Sequence, residues 1–402
     1  MDVHDPSIGD RIRRRRRLRG LSLDQAAGLT GISKSYLSRL ERGERSLDSW
    51  RLLTQLASVL ETSITELTGQ PYTPRDREHA DAQRAVVGVR LALLDPEGPN
   101  VGRGVGFAAT GTLDEQVAIS WALARDCDLV SQGKFVPELL QNVHRQVTLE
   151  STAEGQQALA LIAYDASFFM RNLGEMDLAW IAAERMNKAC EELNSPQWSA
   201  MAAYAQAHAL YPVGAWAKAS NISGTAAEVT PVRNGQSTGA AARGSCLLVS
   251  SFANACAGNL DTARAQLEEA EAMASWIEGP NVVSDRTSFS KWNVLMHKVA
   301  VEVEAGDPAS ALEASAQINL AEVANLERIS YMWVDVGRAY ARLDRDRDAI
   351  NAFRRAERAA PLRVRLSPVV RESVRHLIDS AHRRASGPAL RGLAERCGVM
   401  ST

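Results

Sequence analysis

The sequence lacks several features that would place it in a specialised class of protein. Its 402 residues include five cysteines, and because no two of them have CxxC spacing, neither a disulfide framework nor a zinc site is predicted. No run of about 18 apolar residues occurs, so we predict no transmembrane helix. The N-terminus has no apolar segment of the kind found in secretory signals. We therefore expect a cytoplasmic protein with reduced thiols.

Motifs of common enzyme classes are also missing. The sequence has no HExxH, GxSxG or GxxxxGK[ST] pattern, and no two of its seven histidines are three or four residues apart. Asp344, Asp346 and Asp348 resemble the start of a calcium-binding loop. Ala349 replaces the glycine of such a loop, however, and Arg355 replaces its closing glutamate. We predict no enzyme, no metal and no cofactor.

Charge is distributed unevenly along the chain, although the net charge is only −2. Residues 9–45 contain 11 basic and 4 acidic side chains, whereas residues 71–337 contain 19 basic and 32 acidic ones. From residue 338 onward there are 15 basic and 7 acidic side chains. A basic segment attached to an acidic body predicts a polyanion-binding module joined to a larger protein.

The first 72 residues predict a domain of five short helices. Serines placed to cap helix starts and glycines placed just after helix ends divide it into helices near 7–19, 22–31, 33–43, 47–60 and 62–69. Residues 73–113 predict a linker with one connecting helix, from about residue 75 to 94, and a loop rich in glycine and proline at 95–106.

From residue 114 to residue 402 the sequence is helical in character throughout. Small residues separate apolar helices at intervals of 38 to 48 residues: Gly133, Gly174, Gly214, Gly258, Gly306 and Asp344. A helix pair that cannot bury its apolar face alone stacks on the next pair, so this period predicts a solenoid. The predicted fold class is all-α.

Residues 21–43, LSLDQAAGLTGISKSYLSRLERG, resemble the Xre/Cro-like helix-turn-helix family. The resemblance rests on Gly9, Arg16, Leu21, Ala27, Gly31, Ile32, Ser33, Leu37, Leu40, Glu41 and Gly43. It implies that residues 1–72 form a five-helix, lambda-repressor-like DNA-binding domain in which Arg16 and Glu41 form a partly buried ion pair. Leu23 and Leu47 depart from the pattern, because glutamine and proline are common at those two positions.

The third helix of this domain divides into an apolar face and a polar face. The polar side chains, which we expect to contact base edges in the major groove, are Lys34, Ser35, Ser38 and Arg39. The candidate phosphate contacts are Arg13, Arg14, Tyr36, Arg42 and Arg45. Tyr36 lies between the two faces, so partial burial is the alternative for it. Residues 13–17 are all arginine and span more than one helical turn, so not all of them can face solvent.

Residues 333–361 resemble a tetratricopeptide repeat. The resemblance rests on Trp333, Val336, Gly337, Tyr340, Ala349, Phe353, Ala356 and Pro361. It implies that residues 114–402 form a tetratricopeptide-like sensor and dimerisation domain. The whole layout resembles regulators of high-GC Gram-positive bacteria that join an Xre-type DNA-binding domain to such a sensor.

In this repeat family, the first helix of each pair lines the concave face. Projected onto this chain, that face is an aromatic trough with two arginines: Tyr164, Phe168, Arg171, Tyr204, His208, Tyr211, Phe252, Asn293, Met296, Tyr331 and Arg338. Such a trough suits a short peptide or a small amphipathic acid whose carboxylate is bound by arginine. For each aromatic residue taken alone, the alternative is a place in the core.

Together these features predict a transcriptional regulator that binds double-stranded DNA sequence-specifically as a homodimer. A small molecule or peptide bound in the repeats would favour one spacing of the two DNA-binding domains. The main alternative is an interaction protein whose repeats bind a partner protein while the helix-turn-helix tethers the complex to DNA. A more remote alternative is a transferase or hydrolase within the repeats.

The tryptophan distribution gives a first testable prediction. Seven of the eight tryptophans lie beyond residue 113. If the repeats bind a small ligand, its binding should therefore change the intrinsic tryptophan fluorescence of the full chain. A ligand that alters DNA binding without any change in emission would contradict this assignment of the sensor.

Overall fold

A computed structural model describes residues 6–96, 98, 111–232, 237–277, 279, 281–381 and 387–399, and these ranges contain helices and turns but no β-strand. The predicted all-α fold is confirmed. No helix within the described ranges has both the length and the apolar character needed to cross a bilayer.

The first five helices form the N-terminal domain: α1 (Ile8–Leu18), α2 (Leu23–Thr30), α3 (Lys34–Glu41), α4 (Trp50–Val59) and α5 (Ile64–Thr68). Each begins after a serine whose hydroxyl accepts a backbone N–H of the first turn: Ser7, Ser22, Ser33, Ser49 and Ser63. The sequence predicted that α4 begins near residue 47. It begins at Trp50, because Ser49 is the cap.

A small apolar core fixes the orientation of α3 within this domain. Leu37 and Leu40 of α3 are buried against Ile12 of α1 and Leu56 of α4. A Cβ atom on Gly9 would lie 2.3 Å from the carbonyl oxygen of Leu40, so only glycine permits this contact between α1 and α3. The apolar face of α3 is therefore held inward and its polar face outward.

The remaining chain, the repeat region, contains α6 (Arg77–Leu94), α7 (Leu113–Arg125), α8 (Leu129–Leu149), α9 (Ala153–Leu173), α10 (Met176–Glu192), α11 (Pro196–Leu210), α12 (Trp216–Val229), α13 (Ser237–Ala257), α14 (Leu260–Ala274), α15 (Val282–Thr287), α16 (Lys291–Ala305), α17 (Pro308–Ala316), α18 (Leu326–Arg342), α19 (Asp346–Ala359), α20 (Pro361–Arg365), α21 (Pro368–Ala381) and α22 (Pro388–Cys397). Two 3₁₀ turns, Tyr211–Val213 and Leu320–Glu322, follow α11 and α17.

The predicted connecting helix, α6, packs as part of the repeat region. Its residues Ala82, Val89 and Leu93 are buried in the same core as those of α8 and α9. Gly133 lies inside α8, so the prediction that it separates two helices is wrong. A Cβ atom at this position would lie 3.0 Å from that of Ala85, so a small residue is needed where α8 meets α6. Most of the loop predicted at 95–106 lies outside the described residues.

The helices from α9 onward pair as the sequence period predicted. The pairs α9–α10, α11–α12, α13–α14, α16–α17 and α18–α19 each turn on a residue with positive φ: Gly174, Gly214, Gly258, Gly306 and Asp344. Glycine adopts this left-handed conformation without steric cost, which ends one helix and starts the next. The first helices of successive pairs contact each other and line the inner face.

The superhelix curves so tightly that α18 returns to the beginning of the repeats. Arg171 of α9 donates a hydrogen bond of 2.6 Å to the hydroxyl of Tyr331 in α18. Arg328, also in α18, donates one to the hydroxyl of Tyr204 in α11. The inner face is thereby enclosed on several sides.

The close approach of α18 to α19 gives a stability prediction. A Cβ atom at Gly337 would lie 2.6 Å from the ring of Phe353. We expect Gly337→Ala to lower the free energy of unfolding by about 1–3 kcal/mol through overpacking. Thermal unfolding followed by circular dichroism measures this loss of stability.

Gly224→Ala, in α12, is the matched control, because the nearest atom to its Cβ, the hydroxyl oxygen of Ser250 in α13, would be 3.4 Å away, an ordinary contact. It should leave stability unchanged or raise it by up to about 1 kcal/mol through helix propensity. Equal destabilisation by both substitutions would contradict the overpacking argument.

Candidate functional site

The N-terminal domain presents the polar face of α3 to solvent. Lys34 and Ser35 are exposed, whereas Ser38 and Arg39 are half-buried. The ammonium of Lys34 lies 2.6 Å from a carboxylate oxygen of Asp24, and both side chains are more than half exposed. An exposed ion pair contributes little stability, so Lys34 can exchange Asp24 for another anion at small cost.

The end of α3 is occupied by internal polar contacts. Arg42 hydrogen-bonds the hydroxyl of Ser38 and forms two bonds, of 2.6 and 2.9 Å, to the carboxylate of Glu44. A phosphate contact by Arg42 therefore requires displacement of Glu44. The Nε atom of Arg39 is buried and has no hydrogen-bond partner among the described residues. Arg45 is exposed.

Tyr36 is half-buried and packs against the core of the N-terminal domain. Burial raises the pKa of its phenol, and Asp48 adds to that rise, while Arg342, Arg45 and Arg39 oppose it. Because Arg342 belongs to α18, the repeats approach α3 at this tyrosine. The structure thus places Tyr36 in the partly buried position that the sequence left open as the alternative to a phosphate contact.

The arginine run of α1 divides between solvent and interior. Arg13 and Arg14 are exposed and, with Arg17, line a shallow surface groove. Arg16 is buried and forms a two-fold ion pair with Glu41, with distances of 2.5 and 2.8 Å. Hydrogen bonding to this carboxylate raises the pKa of Arg16. The pair ties α1 to the end of α3.

The segment before α4 docks the N-terminal domain on the repeats. Arg342 Nε lies 3.1 Å from Oδ2 of Asp48. The hydroxyl of Ser49 donates a bond of 3.2 Å to Glu304. Trp50 packs edge-on against Trp216 of α12, with ring centroids 6.4 Å apart.

Arg338 lies at the centre of this contact and is only 1% exposed. Its guanidinium pairs with Glu304, lies 2.7 Å from Asp335 and donates to the backbone carbonyl of Asp48. Arg338 lines the inner face, as predicted for a ligand contact, but these carboxylates already neutralise it.

A cavity of about 180 Å³ lies between the N-terminal domain and the inner face of the repeats. Of the predicted ligand residues, the structure brings together around it Arg171, His208, Tyr211, Phe252, Asn293, Met296, Tyr331 and Arg338. Trp50 of α4 and Gln70, which follows α5, complete the wall. The projection from repeat spacing could not find them, because they belong to the other domain.

Three predicted ligand residues lie behind the cavity wall rather than in it. Tyr164 and Phe168 stack with centroids 4.5 Å apart, and Tyr204 lies 6.2 Å from Phe168. The hydroxyl of Tyr164 donates a bond of 2.9 Å to the backbone carbonyl of Arg286. All three rings are buried in the core, which was the alternative for each aromatic residue taken alone.

The sequence projection also missed two arginines of the cavity wall, Arg328 and Arg363. Arg328 lies one turn before Tyr331 on α18, and Arg363 lies on α20, outside the helix pairs.

The histidines beside them are neutral at physiological pH. Burial, followed by the charges of Arg171 and Arg328, holds the pKa of His208 well below its usual range. Burial and Arg328 lower the pKa of His297 to about 4.

The N-terminal domain is similar in sequence to known proteins. Residues 7–68 match the sequence profile of a helix-turn-helix domain. The transcriptional regulator SlrR of Bacillus subtilis (strain 168) is 43% identical over 60 residues, which are 15% of this chain and 40% of that protein. The regulator SinR of the same organism is 35% identical over 65 residues, 16% of this chain and 59% of SinR. The chain thus spans less than two thirds of the length of either relative.

Two solved structures resemble the chain, but with low TM-scores. ComR from S. thermophilus, in complex with DNA and its signalling peptide, is 17% identical with a TM-score of 0.29, over 76% of this chain and 99% of that one. Yeast Tom70 is 12% identical with a TM-score of 0.40, over 98% of this chain and 89% of that one. The architecture described above rests on contacts within the chain.

A buried carboxyl group at the domain contact gives a pH prediction. Glu372 of α21 accepts a hydrogen bond from the backbone N–H of Leu47, and burial raises the pKa of this carboxyl to about 7. Its other oxygen, Oε2, has no hydrogen-bond partner among the described residues, although Nη1 of Arg375 lies 3.6 Å away and partly opposes the rise in pKa. The folded protein therefore holds a proton that the unfolded chain releases near pH 4.5.

Because the folded pKa is the higher one, this group's stability contribution is full below about pH 4.5 and falls as pH rises to about 7. Glu372→Gln should therefore gain stability relative to wild type between those values, by up to about 3 kcal/mol. Denaturant unfolding of both proteins across this pH range measures the difference. A pH-independent difference would contradict the assignment.

Proposed function

We propose that this protein is a cytoplasmic transcriptional regulator that binds double-stranded DNA sequence-specifically as a homodimer. An effector bound in the cavity modulates its DNA binding. The N-terminal helix-turn-helix domain reads the operator, and the repeat region supplies the effector site and the dimer contacts.

The polar face of α3 supports DNA reading. Lys34, Ser35, Ser38 and Arg39 lie on the side opposite the buried Leu37, where a helix placed in the major groove presents side chains to base edges. The proposed phosphate contacts are the exposed Arg13, Arg14, Arg42 and Arg45. Tyr36 joins them if it leaves its partly buried position.

One observation carries the proposed regulation. Trp50 is the first residue of α4 in the DNA-binding domain, and it also forms part of the cavity wall. A ligand that fills the cavity contacts the DNA-binding domain directly and can favour one docked position of it over another. The small volume of the cavity, about 180 Å³, favours a small effector over a partner protein, so the interaction-protein alternative has less support.

Selection from random duplex DNA with the full chain tests the DNA-reading role. We expect an inverted repeat whose half-sites are spaced about 34 Å apart, as a dimer requires. Arg39→Ala should lose preference at one base position in each half-site and bind the selected DNA more weakly by about 1–3 kcal/mol per contact.

Arg347→Ala, an exposed arginine of α19 far along the chain from α3, is the control and should select the wild-type motif. If the wild-type chain enriches no motif, or if Arg39→Ala selects the wild-type motif unchanged, the proposed reading face is wrong.

Salt dependence tests the phosphate contacts separately. With about four phosphates neutralised by each subunit, the logarithm of the binding constant should fall against that of salt concentration with a slope of roughly −7. Arg13→Ala should reduce the magnitude of this slope by about 2 in the dimer and weaken all sequences alike. A slope that is unchanged in this variant would exclude Arg13 from the interface.

A further inference from the structure

The arginines of the cavity wall differ in how their charge is balanced. Arg338 pairs with Glu304 and Asp335, and Arg171 lies 3.4 Å from Glu327. For Arg328 and Arg363, in contrast, no carboxylate oxygen of the described residues lies within ion-pair distance.

Both of these unpaired arginines are deeply buried. Arg328 is 7% exposed and Arg363 is 6% exposed. Arg328 donates to the hydroxyl of Tyr204, and Arg363 donates a bond of 2.8 Å to the hydroxyl of Ser330. A guanidinium has five N–H donors, and the Nε atoms of both side chains have no partner among the described residues. Burying such a charge with no carboxylate within ion-pair distance is costly, and an anion in the cavity would reduce that cost.

Both arginines line the cavity near Tyr331. The Cζ atom of Arg363 is 3.2 Å from the ring centroid of Tyr331. Arg328 lies one helical turn before this tyrosine on α18, and it lines the cavity together with Arg363. The guanidinium groups of Arg328 and Arg363, each with several N–H donors, therefore both belong to this end of the cavity.

The other end of the cavity is aromatic. Tyr211 lies 5.1 Å from Phe252 and 5.5 Å from Trp216 between ring centroids. A ladder of rings connects the two ends, because His208 lies 4.5 Å from Tyr204 and 5.0 Å from Tyr211. The cavity wall thus offers two arginines at one end and a group of aromatic rings at the other.

The volume limits the occupant. A cavity of about 150 Å³ in a protein core binds benzene, and this one measures about 180 Å³. One ring with a short acidic side chain fits such a space.

We infer that the effector is a small aromatic carboxylic acid whose carboxylate is bound by Arg328 and Arg363 and whose ring lies against Tyr211, Trp216 and Phe252. This inference rests on the proposed function, since it identifies the ligand class of that effector site. The sequence had assigned carboxylate binding to Arg171 and Arg338. The structure favours Arg328 and Arg363 for this role, because neither has a carboxylate within ion-pair distance.

Calorimetric titration of the full chain with phenylacetate, 3-phenylpropionate and indole-3-acetate tests the ligand class. Each acid is compared with its own neutral amide and with inorganic phosphate. We expect at least one acid to bind about tenfold or more tightly than its amide, because a charge-assisted forked hydrogen bond is lost in the amide. If no acid is preferred over its amide, or if phosphate binds as tightly as the best acid, the inference is overturned.

Substitution of the two arginines tests the site. Arg328→Met and Arg363→Met should each abolish the preference for acid over amide. Neither should lower the melting temperature of the ligand-free protein by more than the loss of one hydrogen bond, to Tyr204 or to Ser330, because each removes a buried charge that has no carboxylate within ion-pair distance. Arg363→Lys keeps the charge but not the fork, so it should retain only part of the preference.

Arg243→Ala is the control, because this arginine pairs with Glu269 outside the cavity wall and should leave acid binding unchanged. Unaltered acid preference in both methionine variants would contradict the site. Measuring DNA binding of every variant separates the two proposals. If specific DNA binding persists while acid selectivity is absent, the ligand class fails and the DNA-reading function stands.

Discussion

The buried ion cluster around Arg338 is the interaction on which the rest of the arrangement depends. This one guanidinium joins α18 to α16 through Glu304 and to the N-terminal domain through Asp48. Removing one member of a buried cluster leaves the others without compensation, which costs far more than breaking an exposed pair. The N-terminal domain is therefore held against the repeats by a contact that is costly to break.

The tight curvature of the repeats explains why this contact stands next to a cavity. An open superhelix would expose its inner face to solvent, but here α18 returns to α9 and α11. The N-terminal domain then covers the remaining side with Trp50. Because the N-terminal domain itself contributes to the cavity wall, packing connects that wall directly to the domain that contains α3.

Local structure could be predicted from the sequence where short-range chemistry decides it. The serine caps, such as Ser33, act within one helical turn, and the glycines at turns, such as Gly258, act through their own backbone. Gly133 misled the prediction because a glycine can also serve close packing between helices, and its sequence context does not distinguish the two uses.

The candidate site was only partly predictable, for a different physical reason. Repeat spacing identifies which residues face inward, and it identified residues such as Tyr211 and Phe252 in the cavity wall. It does not give the superhelical curvature, which buries Tyr204 under Arg328. Nor does it show which arginines meet a carboxylate, because Glu304 and Asp48 reach Arg338 from other parts of the chain.

Scanning calorimetry of the full chain and of Asp48→Asn is the most direct test of the central claim, that the N-terminal domain is clamped to the cavity wall. Asp48→Asn removes the charge that the N-terminal domain gives to Arg338 and Arg342, whereas Asp24→Asn removes only the exposed pair with Lys34. The account predicts that the N-terminal domain unfolds together with the repeats in the wild type and in Asp24→Asn. In Asp48→Asn it should unfold at a lower temperature, while the transition of the repeats moves little. Separate unfolding of the two parts in the wild type, or identical profiles for both variants, would contradict it.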